Sequence, residues 1–363
     1  MNNSAELIML HPDSQFRNGV FLSLDWVSFV CQNCSIRSLM YLLQLQKFSR
    51  TSFKKEELRI HPGNDSFAFD INGVQFCVNR TLVACYGLDV ESNDIFDYVF
   101  PTVRVNFTGT GLRFMRGIFD ELHVWFDQWI LYFFHLDEAP AGHFTRLDFA
   151  LDFVNDFSNI LGNVVQHLQY GGTKDGQPAP GKFTAGSTRA YQTKLWLDPA
   201  TAGCTVYLGS GASDQMLRIY NKYAESREFF SVPHIDPESG AEIFERWKPG
   251  KDPHFPGIDA GDIKTWVRFE LVLRNKKAME FTPAEKDDPC VFDHPSFFAR
   301  IIHDKFRPVR TSLYVDWWQK FWDPLFDDKI VNLNLHFVQL RYSRNWALRF
   351  PPLRSAPAPG WLR

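Results

Sequence analysis

The run Arg218-Ile-Tyr-Asn-Lys222 places a tyrosine two residues from an arginine and two from a lysine. A phenol with an ordinary pKa of about 10 attacks phosphorus poorly at neutral pH unless nearby positive charge lowers that value. Arg218 and Lys222 share the Tyr220 face if the segment is extended. Two other runs carry charge at the same spacing. In Thr145-Arg-Leu-Asp-Phe-Ala-Leu-Asp-Phe153, alternation sets Arg146, Asp148 and Asp152 against Leu147, Phe149, Leu151 and Phe153. In Trp266-Val-Arg-Phe-Glu-Leu-Val-Leu-Arg274 it sets Arg268, Glu270 and Arg274 against Val267, Phe269, Leu271 and Leu273. A phosphodiester across such a face would meet Tyr220 as nucleophile, with Arg218 and Lys222 beside it and Arg146 and Arg268 as backbone contacts. Asp148, Glu270 and Asp152 are candidate ligands for a divalent metal that offsets charge in the transition state, and carboxylates alone favour Mg2+ or Mn2+ over zinc. The competing reading is a structural ladder of ion pairs between neighbouring strands, which any one of these runs taken alone would favour.

The elements that position these residues follow from periodicity. Residues 24–30 read as an opening strand, and residues 66–77 as a hairpin turning at Asn72-Gly73. Leu112, Met115, Phe119, Leu122, Phe126, Trp129 and Phe133 recur at helical spacing and predict a long helix with its apolar face on a sheet. A second helix is expected from a cap at Asp156 through Ile160, Val164 and Leu168 to Gly171. Residues 171–203 and 232–262 are rich in Gly, Pro and Asp and read as long loops. Residues 296–306 and 314–326 read as aromatic helices. The expected fold is α+β, a largely antiparallel sheet with one charged face and helices on the other. Residues 1–285 would form the catalytic part, and residues 286–363 a smaller helical, aromatic and basic part with a possible role in DNA binding.

The chain has 363 residues, 45% of them hydrophobic and 16% aromatic, enough for a substantial core and for rings that stack on unpaired bases. A net charge of −3 excludes a protein coated in basic surface, so any nucleic-acid contact comes from local patches. One such patch is C-terminal, where Arg341, Arg344, Arg349, Arg354 and Arg363 occur without an acidic residue. Its plain alternative is a solvated, proline-rich tail. Six irregularly spaced cysteines read as reduced thiols, and Cys31-Gln-Asn-Cys34 has no second pair to complete a zinc site. No export signal is apparent, and the apolar stretch 112–136 carries five charges, so a cytoplasmic protein with no membrane span is expected.

Taken together, Asp25-Trp-Val-Ser-Phe29, Gly109-Thr-Gly111, Arg146 to Asp152, Thr205-Val-Tyr-Leu-Gly-Ser210, Arg218 to Lys222 with Glu225, and Trp266 to Leu271 resemble the Rep_trans family. These are the pT181-type rolling-circle replication initiators of plasmids, integrative elements and some phages, and both order and spacing agree with the family. The resemblance implies an enzyme that nicks one strand at an origin with a tyrosine, here Tyr220, stays joined to the 5′ phosphate and leaves a 3′ hydroxyl primer. It implies a metal held by Asp148 and Glu270, with Asp152 and Glu225 further candidates. Origin DNA, duplex with a single-stranded nick site, would be the substrate; a host helicase and polymerase would be partners, and a homodimer is possible. Gly211 stands where the family shows an arginine, so a phosphate contact is either missing or supplied by Arg218 or Lys222. Tyr207 and Tyr223 are rival nucleophiles. A non-catalytic origin-binding or regulatory protein and a water-using metal nuclease are the alternatives.

Overall fold

The computed structural model describes residues 15–17, 19–45, 59–60, 66–89, 94–121, 141–155, 159–184, 190–198, 203–236, 239–249, 251, 253, 255, 257–282, 295–310, 313–314 and 316–322. Its strands in chain order are β1 (Gln15–Arg17), β2 (Val20–Cys34), β3 (Arg59–Ile60), β4 (Ser66–Ile71), β5 (Val74–Asn79), β6 (Phe100–Phe107) and β7 (Gly142–Val154). They continue with β8 (Gly172–Lys174), β9 (Gln177–Ala179), β10 (Lys182–Thr184), β11 (Thr193–Asp198), β12 (Gly203–Leu208) and β13 (Gln215–Asn221). The last are β14 (Arg227–Ile235), β15 (Glu242–Trp247), β16 (Trp266–Arg274), β17 (Arg307–Arg310) and β18 (Leu313–Tyr314). Among the described residues, eleven strands form one sheet in the order β11-β12-β13-β16-β7-β2-β6-β5-β4-β3, with β1 paired to β2. Every pairing in it is antiparallel, and the fold is α+β.

Alternation decides which face is apolar. Leu147, Phe149, Leu151 and Phe153 of β7 and Val267, Phe269, Leu271 and Leu273 of β16 all enter the main apolar core, with Leu217 and Ile219 of β13. Helix Asn159–Tyr170 covers this rear face through Ile160, Val164 and Leu168. Helix Asp316–Trp322 adds Trp318 and Trp322, with the Trp322 ring 6.0 Å from Phe153 and 5.7 Å from Phe269. Each fully buried aromatic or aliphatic side chain contributes about 1.5–3 kcal/mol, so this layer holds the site's strands in register. The front face is not purely charged: Phe21, Val154, Phe255, Ile263 and Trp266 form a small second core at one end.

The hairpin turn falls at Asn72 and Gly73, whose φ values of 51° and 89° suit a left-handed two-residue turn. Helix Gly109–Glu121 begins against that turn. A Cβ on Gly111 would lie 2.3 Å from the Gly73 carbonyl oxygen, whereas one on Gly109 would meet nothing nearer than 3.7 Å. Gly111→Ala is therefore expected to cost about 1–3 kcal/mol through overpacking, and Gly109→Ala much less, as read by urea unfolding.

The sequence reading and the structure differ in four places, one of them in the part read as helical, where Arg307–Arg310 and Leu313–Tyr314 are strands β17 and β18. Residues 171–203 contain the hairpin β8–β9, strand β10, which pairs with β17, and edge strand β11. Trp196 and Leu197 stay exposed on β11, so it buries no full apolar row and its alternation carries little signal. Residues 232–262 contain the end of β14 and all of β15, which form a separate two-stranded ribbon. Lys222 opens helix Lys222–Ser226 instead of closing the strand. Asp156, Leu122, Phe126, Trp129, Phe133, Arg341 and Arg344 lie outside the described residues. None of the described helices is long and apolar enough to cross a membrane.

Candidate active site

The charged runs singled out in the sequence occupy five adjacent strands, β12-β13-β16-β7-β2. Register then stacks their front-face residues. Thr205 stands opposite Tyr220 and Tyr207 opposite Arg218. Tyr220 stands opposite Arg268, and Arg218 opposite Glu270. Arg268 is in turn opposite Asp152, and Trp26 opposite Asp148. Asp25 is the residue whose aim the sequence could not give. The pairing of β2 with β7 shifts between Leu24 and Trp26, leaving Asp25 as an extra residue in a β-bulge. Asp25 and Trp26 consequently both border the front cavity, though they are neighbours in the chain.

That cavity is about 450 Å3 and has Tyr220 in its lining. Among the described residues, Arg113, Arg218, Lys222, Lys251 and Arg268 border it with two acids, Asp25 and Glu225, while Glu270 and Asp152 pair with Arg218 and Arg268 from behind, so the lining itself is cationic in a chain whose net charge is −3. Thr108, Gly109 and Thr110, at the start of helix Gly109–Glu121, form one wall, and amide groups at a helix start favour anions.

Tyr220 is 7% exposed, and its hydroxyl donates to the Glu270 carboxylate across 3.3 Å. The Arg218 guanidinium pairs with the same carboxylate and lies 4.9 Å from the centre of the Tyr220 ring. The Lys222 ammonium is 5.6 Å from that centre. Burial pushes the Tyr220 pKa well above the usual phenol value; Arg268 and Arg218 oppose the rise, while Glu270 and Asp25 add to it. This departs from the sequence expectation of a lowered value, because desolvation of the phenolate outweighs the surrounding cations. Burial and the Arg268 charge lower Lys222, although Glu225 accepts a hydrogen bond from it. Burial likewise raises Glu225, but Lys222 and Lys251 carry it down to about 2.

The three sequence-nominated carboxylates differ in their surroundings. Asp152 is closed by protein: Arg268 donates to its two oxygens at 2.7 and 2.9 Å, and the Trp266 indole donates as well. Two of these three donors converge on one oxygen, and the other oxygen accepts one. Asp148 accepts from Arg146 at 2.6 and 2.9 Å, and Glu270 holds Arg218 and Tyr220. Burial lifts Asp148 to about 6; Arg146 opposes this, and the charges of Glu270 and Asp25 reinforce it. Mutually repelling carboxylates such as Asp148 and Glu270 are the donor type that suits Mg2+ or Mn2+, and Asp152 differs from them in carrying a third donor. Among the described residues, no group of three or more His, Cys, Asp or Glu side chains is arranged to hold a metal ion.

The Asp148 shift has a consequence for stability. Its folded-state pKa lies above the ordinary 3.8, so the native state binds the proton more tightly. That contribution is complete below pH about 4 and is lost as pH rises through about 6. Wild-type stability is expected to fall across this window, relative to Asp148→Asn, by on the order of 1–3 kcal/mol in urea titrations at each pH.

Gly211 sits in the turn between β12 and β13, where an added Cβ would meet nothing within 4 Å. Arg274 donates to the Gly211 carbonyl at 3.0 Å, so a guanidinium already stands at this turn. Tyr207 borders the cavity, whereas Tyr223 is engaged in the ribbon, its hydroxyl donating to Glu245 at 3.0 Å and its ring 5.5 Å from Trp247.

No protein-family model matches the chain, and no curated protein is significantly similar to it. Among solved structures, the rolling circle replication initiator protein from Geobacillus stearothermophilus is similar over 85% of this chain and 97% of its own, at 17% identity and a TM-score of 0.46.

Proposed function

We propose that this chain is a DNA strand-transferase that nicks one strand of an origin through Tyr220 and thereby begins rolling-circle replication. The observation that carries the reading is the Tyr220 hydroxyl resting on Glu270 in a cationic cavity. The order of its motifs along the chain, which resembles that of the Rep_trans initiators, adds to it.

In the proposed step the tyrosine oxygen attacks a backbone phosphorus and its proton passes to Glu270. Because the buried phenol ionises only well above neutral pH, proton loss accompanies attack and does not precede it. The bond from phosphorus to the 3′ oxygen breaks, leaving the 5′ phosphate on Tyr220. The departing 3′ oxygen takes a proton from Lys222, whose ammonium releases it more readily than an ordinary lysine. Arg218 and Arg268 face the negative charge that builds on the phosphoryl oxygens. A Mg2+ or Mn2+ ion held by Asp148 and Glu270 would supply further charge neutralisation there.

The test is incubation with Mn2+ and an end-labelled single strand from the element's own origin, followed by denaturing electrophoresis and peptide mass mapping. A DNA adduct on Tyr220 is expected. Cleavage without an adduct would replace this reading with water attack, and binding without cleavage would leave an origin-binding protein.

A further inference from the structure

We propose that Trp26 and Tyr207 are stacking platforms for unpaired bases on the two sides of the scissile phosphate, so that the DNA strand runs across the sheet strands with Tyr220 between the platforms. This rests on the nicking role proposed above and specifies how the substrate is gripped.

Two half-buried aromatics stand in the cavity wall without belonging to either apolar core. Trp26 is in neither cluster. One side of its indole carries the Arg146 guanidinium, 4.5 Å from the ring centre, and its Nε1 donates to Ser28 at 2.7 Å. Asp148 fixes that guanidinium through an ion pair at 2.6 Å. The ring is thus held rigidly beside the cavity that it lines. Burial alone does not account for this placement, since the bulge at Asp25 turns Trp26 away from the rear core onto a face of charged residues.

Tyr207 is the counterpart. It borders the same cavity, is also absent from both cores, and its side chain makes no hydrogen bond or ring contact among the described residues. Trp26 lies on β2 and Tyr207 on β12, four strands apart in the sheet. At about 4.8 Å per strand the platforms are roughly 19 Å apart. Arg218 and Glu270, in register with Tyr207 on the intervening strands, occupy the space between, and the Tyr220 hydroxyl reaches Glu270 there. Phosphates are met by cations in the middle and bases by rings at the ends, which is how single strands are held without reading sequence.

The probe is the single-stranded origin oligonucleotide carrying 2-aminopurine, or an abasic sugar, at one position at a time near the nick. In wild type, 2-aminopurine fluorescence is expected to be quenched at one position on each side of the scissile phosphate. Trp26→Ala should restore fluorescence on one side and Tyr207→Ala on the other, with affinity falling about 10-fold in each case, within the range for loss of one stacked base. Trp26→Phe should keep most of the quenching. An abasic sugar at the stacked position should weaken wild type and leave the matching alanine variant indifferent. Wild-type affinity and quenching in both alanine variants, with melting curves unchanged, would overturn the proposal. Quenching that follows these variants in a protein that forms no Tyr220 adduct would instead retain the platforms and discard the nicking reading.

Discussion

Tyr220→Phe is expected to lower single-strand nicking by at least about a thousandfold and to abolish the covalent adduct, as removal of other enzymes' nucleophiles does. The change deletes one oxygen from a ring that already lies in the cavity and keeps its cation contacts with Arg218 and Lys222. Glu270 loses one donor but retains Arg218, so no buried carboxylate is stranded. The stability cost should be about 1 kcal/mol, the net worth of a single hydrogen bond. A large activity loss with an intact fold therefore identifies the nucleophile. Tyr223→Phe is the matched control. Its hydroxyl serves Glu245, so it should weaken the β14–β15 ribbon slightly and leave nicking in place. If Tyr220→Phe instead cleaved at the wild-type rate, water would be the attacking group and Glu270 its base.

The rear half of the fold is legible because strands with one apolar face write that face at every second residue. Leu147 to Phe153 and Val267 to Leu273 announce their sheet in this way, and the charges opposite them announce the site. Three features escape that logic. A bulge leaves composition and spacing untouched, so nothing in Asp25-Trp26 shows that both residues border the cavity. An edge strand such as β11 has no two-sided packing, and it reads as loop. The third is desolvation: the sequence shows cations beside Tyr220 but not that the phenol is sealed, and burial reverses the expected direction of its pKa. The division of labour among carboxylates is equally invisible, since Asp148 and Asp152 point to the same face of one strand, yet Asp148 is paired within that strand by Arg146 and Asp152 from the neighbouring strand by Arg268.

That difference can be tested directly. Arg268 and Asp152 are 5% and 0% exposed at the side chain and form a two-pronged pair, with Trp266 donating to the same carboxylate. Burial disfavours the Arg268 charge, yet Asp152 holds it firmly protonated. Removing one partner leaves the other charged in a dry site, so Arg268→Met is expected to destabilise the protein by about 3–5 kcal/mol in urea unfolding. Asp152→Asn should cost less, because Asp25 remains 3.2 Å from the Arg268 guanidinium and the amide oxygen still accepts one bond. Replacing both members, Arg268→Met with Asp152→Leu, should recover much of the loss, leaving mainly the unpaired Trp266 indole at a cost of about 1–3 kcal/mol. Such recovery, together with Mn2+ affinity unchanged in Asp152→Asn, would make this pair a strut beneath the catalytic face. If Asp152→Asn instead kept full stability and lost Mn2+ binding, Asp152 would be a metal ligand and the pair would not be a strut.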